Sequence, residues 1–331
     1  MGTSVVRFTT SESEDIHWGV RKEGRVYPLA LATNHHRDIM HLYFDRRDAF
    51  DAAVNSIGIA ESDLSYQSPI SADIQLICQG LNYADHRVEG GLKANDDKAE
   101  NLLFQKGSSS ICSPNSAIIR PVNCELLDYE IELGFVMKRE LPLGIEVSEA
   151  ELPNFIGGLV LANDVSARDV QFGAPAMQWF RGKSYPTFCP MGPILYLLDR
   201  SDFAHLYDLE LTLSLNGEQQ QNAFTEQLIN KPPETLSEIA SFMTLRAGDC
   251  LLSGTPGGVM LEMDTKTGLA IMLNLRKDQK RRTKITKAQL ARREFLKPND
   301  TLELTIRSSD GSIDLGTQNN QVVDASETEA S

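Results

Sequence analysis

Two glutamates, Glu130 and Glu132, sit inside the largely apolar run LDYEIELGFV that spans residues 127–136. Side chains alternate faces along a strand, so both carboxylates point one way while Tyr129, Ile131 and Leu133 point the other. Two like charges on a partly buried strand raise their own pKa values or demand a cation. Carboxylate oxygens suit the hard divalent ions Mg²⁺, Mn²⁺ and Ca²⁺. The competing reading is a solvent-facing acidic stripe on an edge strand. A third carboxylate, Asp164, ends the apolar run 159–162, where a strand would deliver it to the mouth of a pocket. A helix N-cap is its alternative role. Arg168, Asp169 and Gln171 follow in a turn or short helix.

A base candidate lies upstream. In GLNYADHRVE, His86 and Glu89 stand three apart, on one side of a helical turn. A carboxylate beside an imidazole orients it and raises its basicity, which general-base catalysis requires. A structural histidine is the plainer alternative. Gly182-Lys183-Ser184 looks like the end of a phosphate-binding loop, but the glycine required five positions earlier is Met177. Lys183 is therefore read as a cation near an anionic group. Gly254-Thr255-Pro256-Gly257-Gly258 is a tight turn able to offer a hydroxyl and backbone N–H groups to a carboxylate, although turn chemistry alone also explains it.

The elements that must position these groups are short. From residue 74 onward, apolar runs at 74–78, 117–120, 129–137, 156–162, 192–198, 209–215, 250–252 and 301–306 alternate with Gly, Pro and Asn turns. That pattern predicts an α+β, β-rich catalytic domain over 71–322, with helices at 233–241 and 287–295. Residues 1–70 read as a small N-terminal α/β region: strands around Val5–Phe8, Trp18–Val20 and Arg25–Tyr27, then a helix over 34–59. The acidic tail 323–331 reads as disordered.

Composition narrows the partners. A formal charge of −14 argues against nucleic-acid binding, which relies on Lys and Arg. An anionic substrate stays open, because a metal inverts the local field. No eighteen-residue apolar run predicts a membrane span, and the opening residues lack the apolar stretch of a secretory leader. Five scattered cysteines without a CxxC fit reduced thiols in a cytoplasmic protein, with Cys189 an ordinary packing residue. The basic stretch 273–293 reads as a solvated loop and helix face, or as a contact for an acidic partner such as a second copy of the chain.

Five motifs in one order, GLNYADHRVE, LDYEIELGFVM, NDVSARDVQ, RGKSYPTFCPMGP and AGDCLLSGTPGGV, closely resemble the fumarylacetoacetate hydrolase family. The match runs from about Gly80 to Val259 and resumes at FLKPND. The likeness is to the branch with acylpyruvate hydrolases and oxaloacetate decarboxylases. Members that cleave fumarylacetoacetate often carry a further acidic ligand upstream of the histidine, and residues 79–83 offer none. The resemblance implies a mixed β-roll or sandwich fold, usually a homodimer. It also implies Mg²⁺ or Mn²⁺ on Glu130, Glu132 and Asp164. His86 and Glu89 would handle water or a proton, and Lys183 and Gln171 an oxyanion. Thr255 would hold the substrate carboxylate, with Tyr83 and Gly254 beside it, and Arg168 would support the metal shell or substrate.

The implied reaction is metal-dependent hydrolysis of a C–C bond in a β-diketo acid, leaving a pyruvate-like enolate whose charge the metal stabilises. The same site would suit decarboxylation of an oxaloacetate-like acid, or isomerase, tautomerase or hydratase chemistry on a 2-oxo acid. A non-catalytic family member acting as a binding protein is the contrasting class. The complete carboxylate triad with its base speaks against it.

Overall fold

Strands buried on both faces read as continuous apolar runs rather than alternating ones, and the centre of this fold is built that way. A computed structural model describes residues 1–11, 13–93 and 101–328. The strands are, in chain order, β1 (Thr3–Thr10), β2 (Ser13–Lys22), β3 (Arg25–Pro28), β4 (Ile59–Ala60), β5 (Leu64–Gln67), β6 (Leu76–Gly80), β7 (Leu102–Lys106), β8 (Ile111–Cys112), β9 (Ile118–Arg120) and β10 (Leu127–Asp128). They continue with β11 (Ile131–Met137), β12 (Ile156–Asn163), β13 (Ser166–Ala167), β14 (Cys189–Leu197), β15 (Leu209–Leu215), β16 (Glu218–Phe224), β17 (Cys250–Leu252), β18 (Thr301–Ser308) and β19 (Asp314–Asp324).

The large sheet runs β4-β3-β2-β1-β14-β12-β11-β17-β6-β7, with β5 added on β1 and β8 on β14. Every residue of β11, β12 and β14 is buried. A second sheet, β16-β15-β18-β19-β9, covers one face. Leu133, Leu161, Leu211 and Leu304 share the core between the sheets. Gln318 of β19 fastens them, its amide donating to the carbonyls of Leu161, Pro190 and Gly192. On the other face, Val136, Val160 and Leu195 pack against Ile39, Met40 and Tyr43 of the helix His36–Asp45.

The protein is thus α+β and strand-rich, as its apolar runs predict. The leading residues 1–67 are continuous with it: β1 pairs antiparallel with β14, and Val6 and Phe8 enter the inter-sheet core. The helix expected over 34–59 is two, His36–Asp45 and Asp48–Val54. Arg46 leaves the helical region at φ −140 and ψ 56, and the turn brings Phe50 edge-on to Tyr43 at 5.1 Å. The helix expected at 287–295 lies instead at Asp278–Leu290. The helix Pro232–Phe242 starts with prolines in its first turn, where a missing N–H costs nothing. The tail expected to lack order from 323 is strand to Asp324 and helical over Ala325–Thr328, and the rest of it lies outside the described residues. All five cysteines are free, and Cys189 is fully buried in β14. Among the described residues no helix is long and apolar enough to cross a membrane.

Candidate active site

Antiparallel pairing of β11 with β12 sets Ile131 opposite Asn163, so the residues just beyond, Glu130 and Asp164, meet across the ladder. The Asp164 N–H donates to the Glu130 carbonyl at 2.8 Å, and the Glu130 N–H donates to Asn163 Oδ1. Glu132, two residues along, shares the face of Glu130. One carboxylate oxygen from each of Glu130, Glu132 and Asp164 lies within 4.8 Å of the others, and all three residues are buried. The strand is central, not an edge, and Asp164 caps no helix.

Burial of three carboxylates demands positive charge, and three cations answer. Lys183 Nζ donates to Glu130 Oε2 and Asp164 Oδ2, both at 2.6 Å, and to Ser166 Oγ at 2.8 Å. Lys106 Nζ reaches Asp164 Oδ1 at 2.6 Å. Arg168 pairs with Glu130 Oε1 at 2.5 Å and donates from Nε to Asp128 Oδ2 at 2.8 Å. Burial alone would raise the pKa of Glu130, but Arg168 and Lys183 hold it well below the usual carboxylate range. Among the described residues Glu132 has no cation in contact, and it accepts the Gly254 N–H at 2.9 Å. Burial, then Asp164 and Glu130, push its carboxyl well above the usual range. Gly254 sits at φ 87, a left-handed conformation that suits glycine and aims this N–H.

His86 and Glu89 lie together on the short helix Ala84–Glu89, with Nδ1 and Glu89 Oε2 at 3.2 Å. The other Glu89 oxygen accepts the Gly258 N–H at 2.7 Å. The carboxylate is clamped between imidazole and glycine-rich turn, so a proton on Nδ1 leaves Nε2 as the basic nitrogen. Gln171, on the helix Arg168–Gly173, accepts Arg168 Nη1 at 3.1 Å. Its Nε2 is a buried donor without a partner among the described residues. A Cβ on Gly182 would come within 2.8 Å of Gln171 Cα, so this glycine is what lets Lys183 lie beside Gln171. Thr255 Oγ1 accepts Gln221 Nε2 at 2.9 Å, which leaves its own O–H free to donate.

A cavity of about 140 Å³ gathers His86, Glu89, Glu130, Glu132, Arg168, Gln171, Lys183 and Thr255. Asp164 lies behind it, contacted by Lys183. Tyr83 is not in its wall: the ring packs with Ala223 and Leu228, and the buried hydroxyl has no partner among the described residues. Lys106, Asp128 and Gln221 were not evident from the sequence. Asp128 holds Arg168 and also accepts the Met260 and Leu261 N–H groups, tying the loop after the glycine turn to the site. Its place in the motif beside Glu130 was the one available signal. Lys106 ends an apolar strand, which marks a buried cation only in retrospect.

Buried hard oxygen donors, one of them with an elevated pKa and no counter-ion, fit a divalent cation of the Mg²⁺, Mn²⁺ or Ca²⁺ class.

Residues 75–323 match the family model for the fumarylacetoacetate (FAA) hydrolase C-terminal domain. A mitochondrial oxaloacetate tautomerase of Bos taurus is 34% identical over 201 residues, which cover 61% of this chain and 62% of the relative. The chain thus spans less than two thirds of that relative. A 2,4-didehydro-3-deoxy-L-rhamnonate hydrolase from Sphingomonas sp. (strain SKA58) is 34% identical over 208 residues, 63% of this chain and 70% of its own. A solved structure of a probable 2-hydroxyhepta-2,4-diene-1,7-dioate isomerase from Mycobacterium abscessus is 26% identical. It aligns with a TM-score of 0.71 over 98% of this chain and 99% of that one.

Proposed function

Because the chain belongs to the fumarylacetoacetate hydrolase family, we propose that it is a divalent-metal-dependent hydrolase cleaving a C–C bond in a β-diketo, acylpyruvate-like acid. The observation that carries this reading is the oriented His86–Glu89 pair in the same cavity as Glu130 and Glu132. A base with its own carboxylate is what water activation needs, and a decarboxylase does not need it.

Glu130, Glu132 and Asp164 would hold the cation, which supplies Lewis-acid stabilisation for negative charge on the substrate oxygens. Thr255 donates its hydroxyl to the substrate carboxylate. His86 Nε2 takes a proton from water, and the hydroxide adds to the distal carbonyl carbon. Gln171 Nε2–H faces the oxyanion that forms, a contribution that only a buried, otherwise unpartnered donor makes in full. The tetrahedral centre then collapses. The C–C bond breaks, and its electron pair enters the pyruvate fragment as an enolate. The proton held by His86 returns to the enolate carbon, giving pyruvate and the carboxylic acid of the acyl group. Lys183, with all three donors on Glu130, Asp164 and Ser166, would hold those two carboxylates in place rather than the oxyanion.

The likeness to an oxaloacetate tautomerase favours a second reading, keto–enol exchange of a 2-oxo acid, in which His86 and Glu89 only carry protons. The test is loss of diketo-enol absorbance from acylpyruvates, and separately enol-to-keto conversion and pyruvate release from oxaloacetate. Both use metal-stripped protein with Mg²⁺ or Mn²⁺ restored. Cleavage that requires metal and falls about 10²–10⁴-fold in His86→Ala supports hydrolysis. Turnover of oxaloacetate alone, unaffected by His86→Ala, refutes it.

A further inference from the structure

The cavity wall carries two chemically different groups of side chains. One comprises Glu130, Glu132, the base pair and Thr255. The other is the aromatic cluster Phe104, Trp179 and Phe172; Leu81, Leu261 and Met263 also line the cavity, with the Leu261 and Met263 N–H groups bound to Asp128 and the Glu89 carbonyl beside the charged groups. Trp179 is the keystone of that cluster, edge-on to Phe104 at 5.1 Å and to Phe172 at 6.2 Å. Lys183 Nζ lies 5.3 Å from the Phe104 ring centre, so the aromatic cluster starts directly beside the charged groups. The chain reaches Trp179 through Ala176 and Met177, both left-handed at φ 53 and 52. Side-chain-bearing residues keep such a conformation where the surroundings enforce it, commonly at ligand sites.

Charge is as informative as shape. Among the described residues the only Lys or Arg side chains in the cavity wall are Arg168 and Lys183. Both are already paired, with Asp128, Glu130 and Asp164. A carboxylate pressed against the aromatic cluster would shed its water and gain no counter-ion. An apolar group there would bury its surface against the rings.

We propose that the site selects β-diketo acids whose distal acyl group is uncharged and apolar, alkyl or aryl, and discriminates against those carrying a second carboxylate at that end. This rests on the function proposed above. Trp179 is the residue that sets the discrimination.

The test uses the full-length protein with Mg²⁺ and compares kcat/KM for acetylpyruvate, hexanoylpyruvate, benzoylpyruvate and fumaroylpyruvate. The expected result is a preference of at least ~10-fold for the hexanoyl or benzoyl compound over the fumaroyl one, the scale on which apolar pockets discriminate. In Trp179→Arg the preference shrinks or reverses, because a cation now faces the distal group. Trp179 is half-buried, and a thermal melt matching wild type shows that the variant folds. Equal or better cleavage of fumaroylpyruvate by wild type overturns the proposal and leaves hydrolysis standing. So does an unchanged preference in Trp179→Arg as regards the residue. If no acylpyruvate is cleaved, the hydrolase reading fails and takes this inference with it.

Discussion

Replacing Glu132 with glutamine should weaken metal binding without weakening the fold, whereas the same change at Glu130 should destabilise the fold itself. The difference follows from a count of charges. Asp128, Glu130 and Asp164 are matched by Lys106, Lys183 and Arg168, each cation in contact with at least one of them. Glu132 is the fourth carboxylate and has no cation in contact among the described residues. Its folded environment favours the neutral form, and an amide has the shape of that form. Glutamine can still accept the Gly254 N–H through its oxygen. Replacing a carboxyl that the fold already holds neutral breaks no buried ion pair, so the metal-free variant should match wild type within ~1 kcal/mol or exceed it.

The metal then separates the two proteins. At a free concentration of 100 Kd, a ligand specific for the folded state adds about 2.7 kcal/mol. If Glu132→Gln binds ~100-fold more weakly, the same concentration adds RT ln 2, about 0.4 kcal/mol. Urea denaturation with and without Mg²⁺ or Mn²⁺, at matched ionic strength, reads both quantities. Glu130→Gln is the contrast: it strips a partner from Lys183 and Arg168 together, and a broken buried pair costs about 3–5 kcal/mol. An unchanged metal increment in Glu132→Gln would remove Glu132 from the ligand set. A metal-free Glu132→Gln destabilised by several kcal/mol would show the charge count to be wrong.

Three further outcomes follow from other parts of the structure. Metal uptake should release protons and tighten as pH rises, because Glu132 must lose the proton that burial and its two neighbours favour; calorimetry in buffers of different ionisation enthalpy measures this, and no proton release would contradict it. His36 is buried with Nε2 on the Gly248 carbonyl, and burial, reinforced by Arg37 and His35, lowers its pKa to about 4. Between that value and ~6.5 the unfolded chain binds the extra proton, so stability is complete above ~6.5 and falls by about 3 kcal/mol as pH drops towards 4; His36→Gln should flatten this slope, and an unaltered slope would refute the assignment. Arg281, fully buried, donates to the carbonyls of Phe172, Gly173, Ala174, Asn274 and Leu275. Arg281→Met should cost about 3–5 kcal/mol in denaturant unfolding, and a loss below ~1 kcal/mol would deny it a structural role.

What the sequence made legible, and what it hid, divides along one physical line. Glu130 and Glu132 were readable because strand alternation is local: a spacing of two fixes a shared face whatever lies around it. Asp164 was readable because an apolar run delivers its last residue to a predictable place. Polar strands were not. EQQQNAF of β16 lies at the margin of the second sheet with little to bury, and QNNQ in β19 hides Gln318 and Asn320 at the core because their amides satisfy distant carbonyls. The basic stretch is exposed, as it reads, at Arg276, Lys277, Lys280, Lys284, Lys287 and Arg292, and departs from that reading at one residue. Arg281 is buried as its anchor, and three of the five carbonyls that receive it come from residues 172–174, more than a hundred positions away.

Lys106 carries the argument furthest. Nothing local marks it, because a lysine ending an apolar strand is ordinarily a surface residue reaching for water. Its burial is affordable only because Asp164 arrives from another strand 58 residues on, and Asp164 is tolerable only because Lys106 and Lys183 are there. Each side of that pairing is unfavourable alone, so neither can be inferred from its own neighbourhood. A motif therefore exposes the carboxylates that meet the ligand, while the cations that make those carboxylates possible emerge only from the folded chain. The same interdependence explains why the site leaves one carboxylate unmatched: with three charges balanced inside the protein, the fourth is the one that a divalent cation is free to claim.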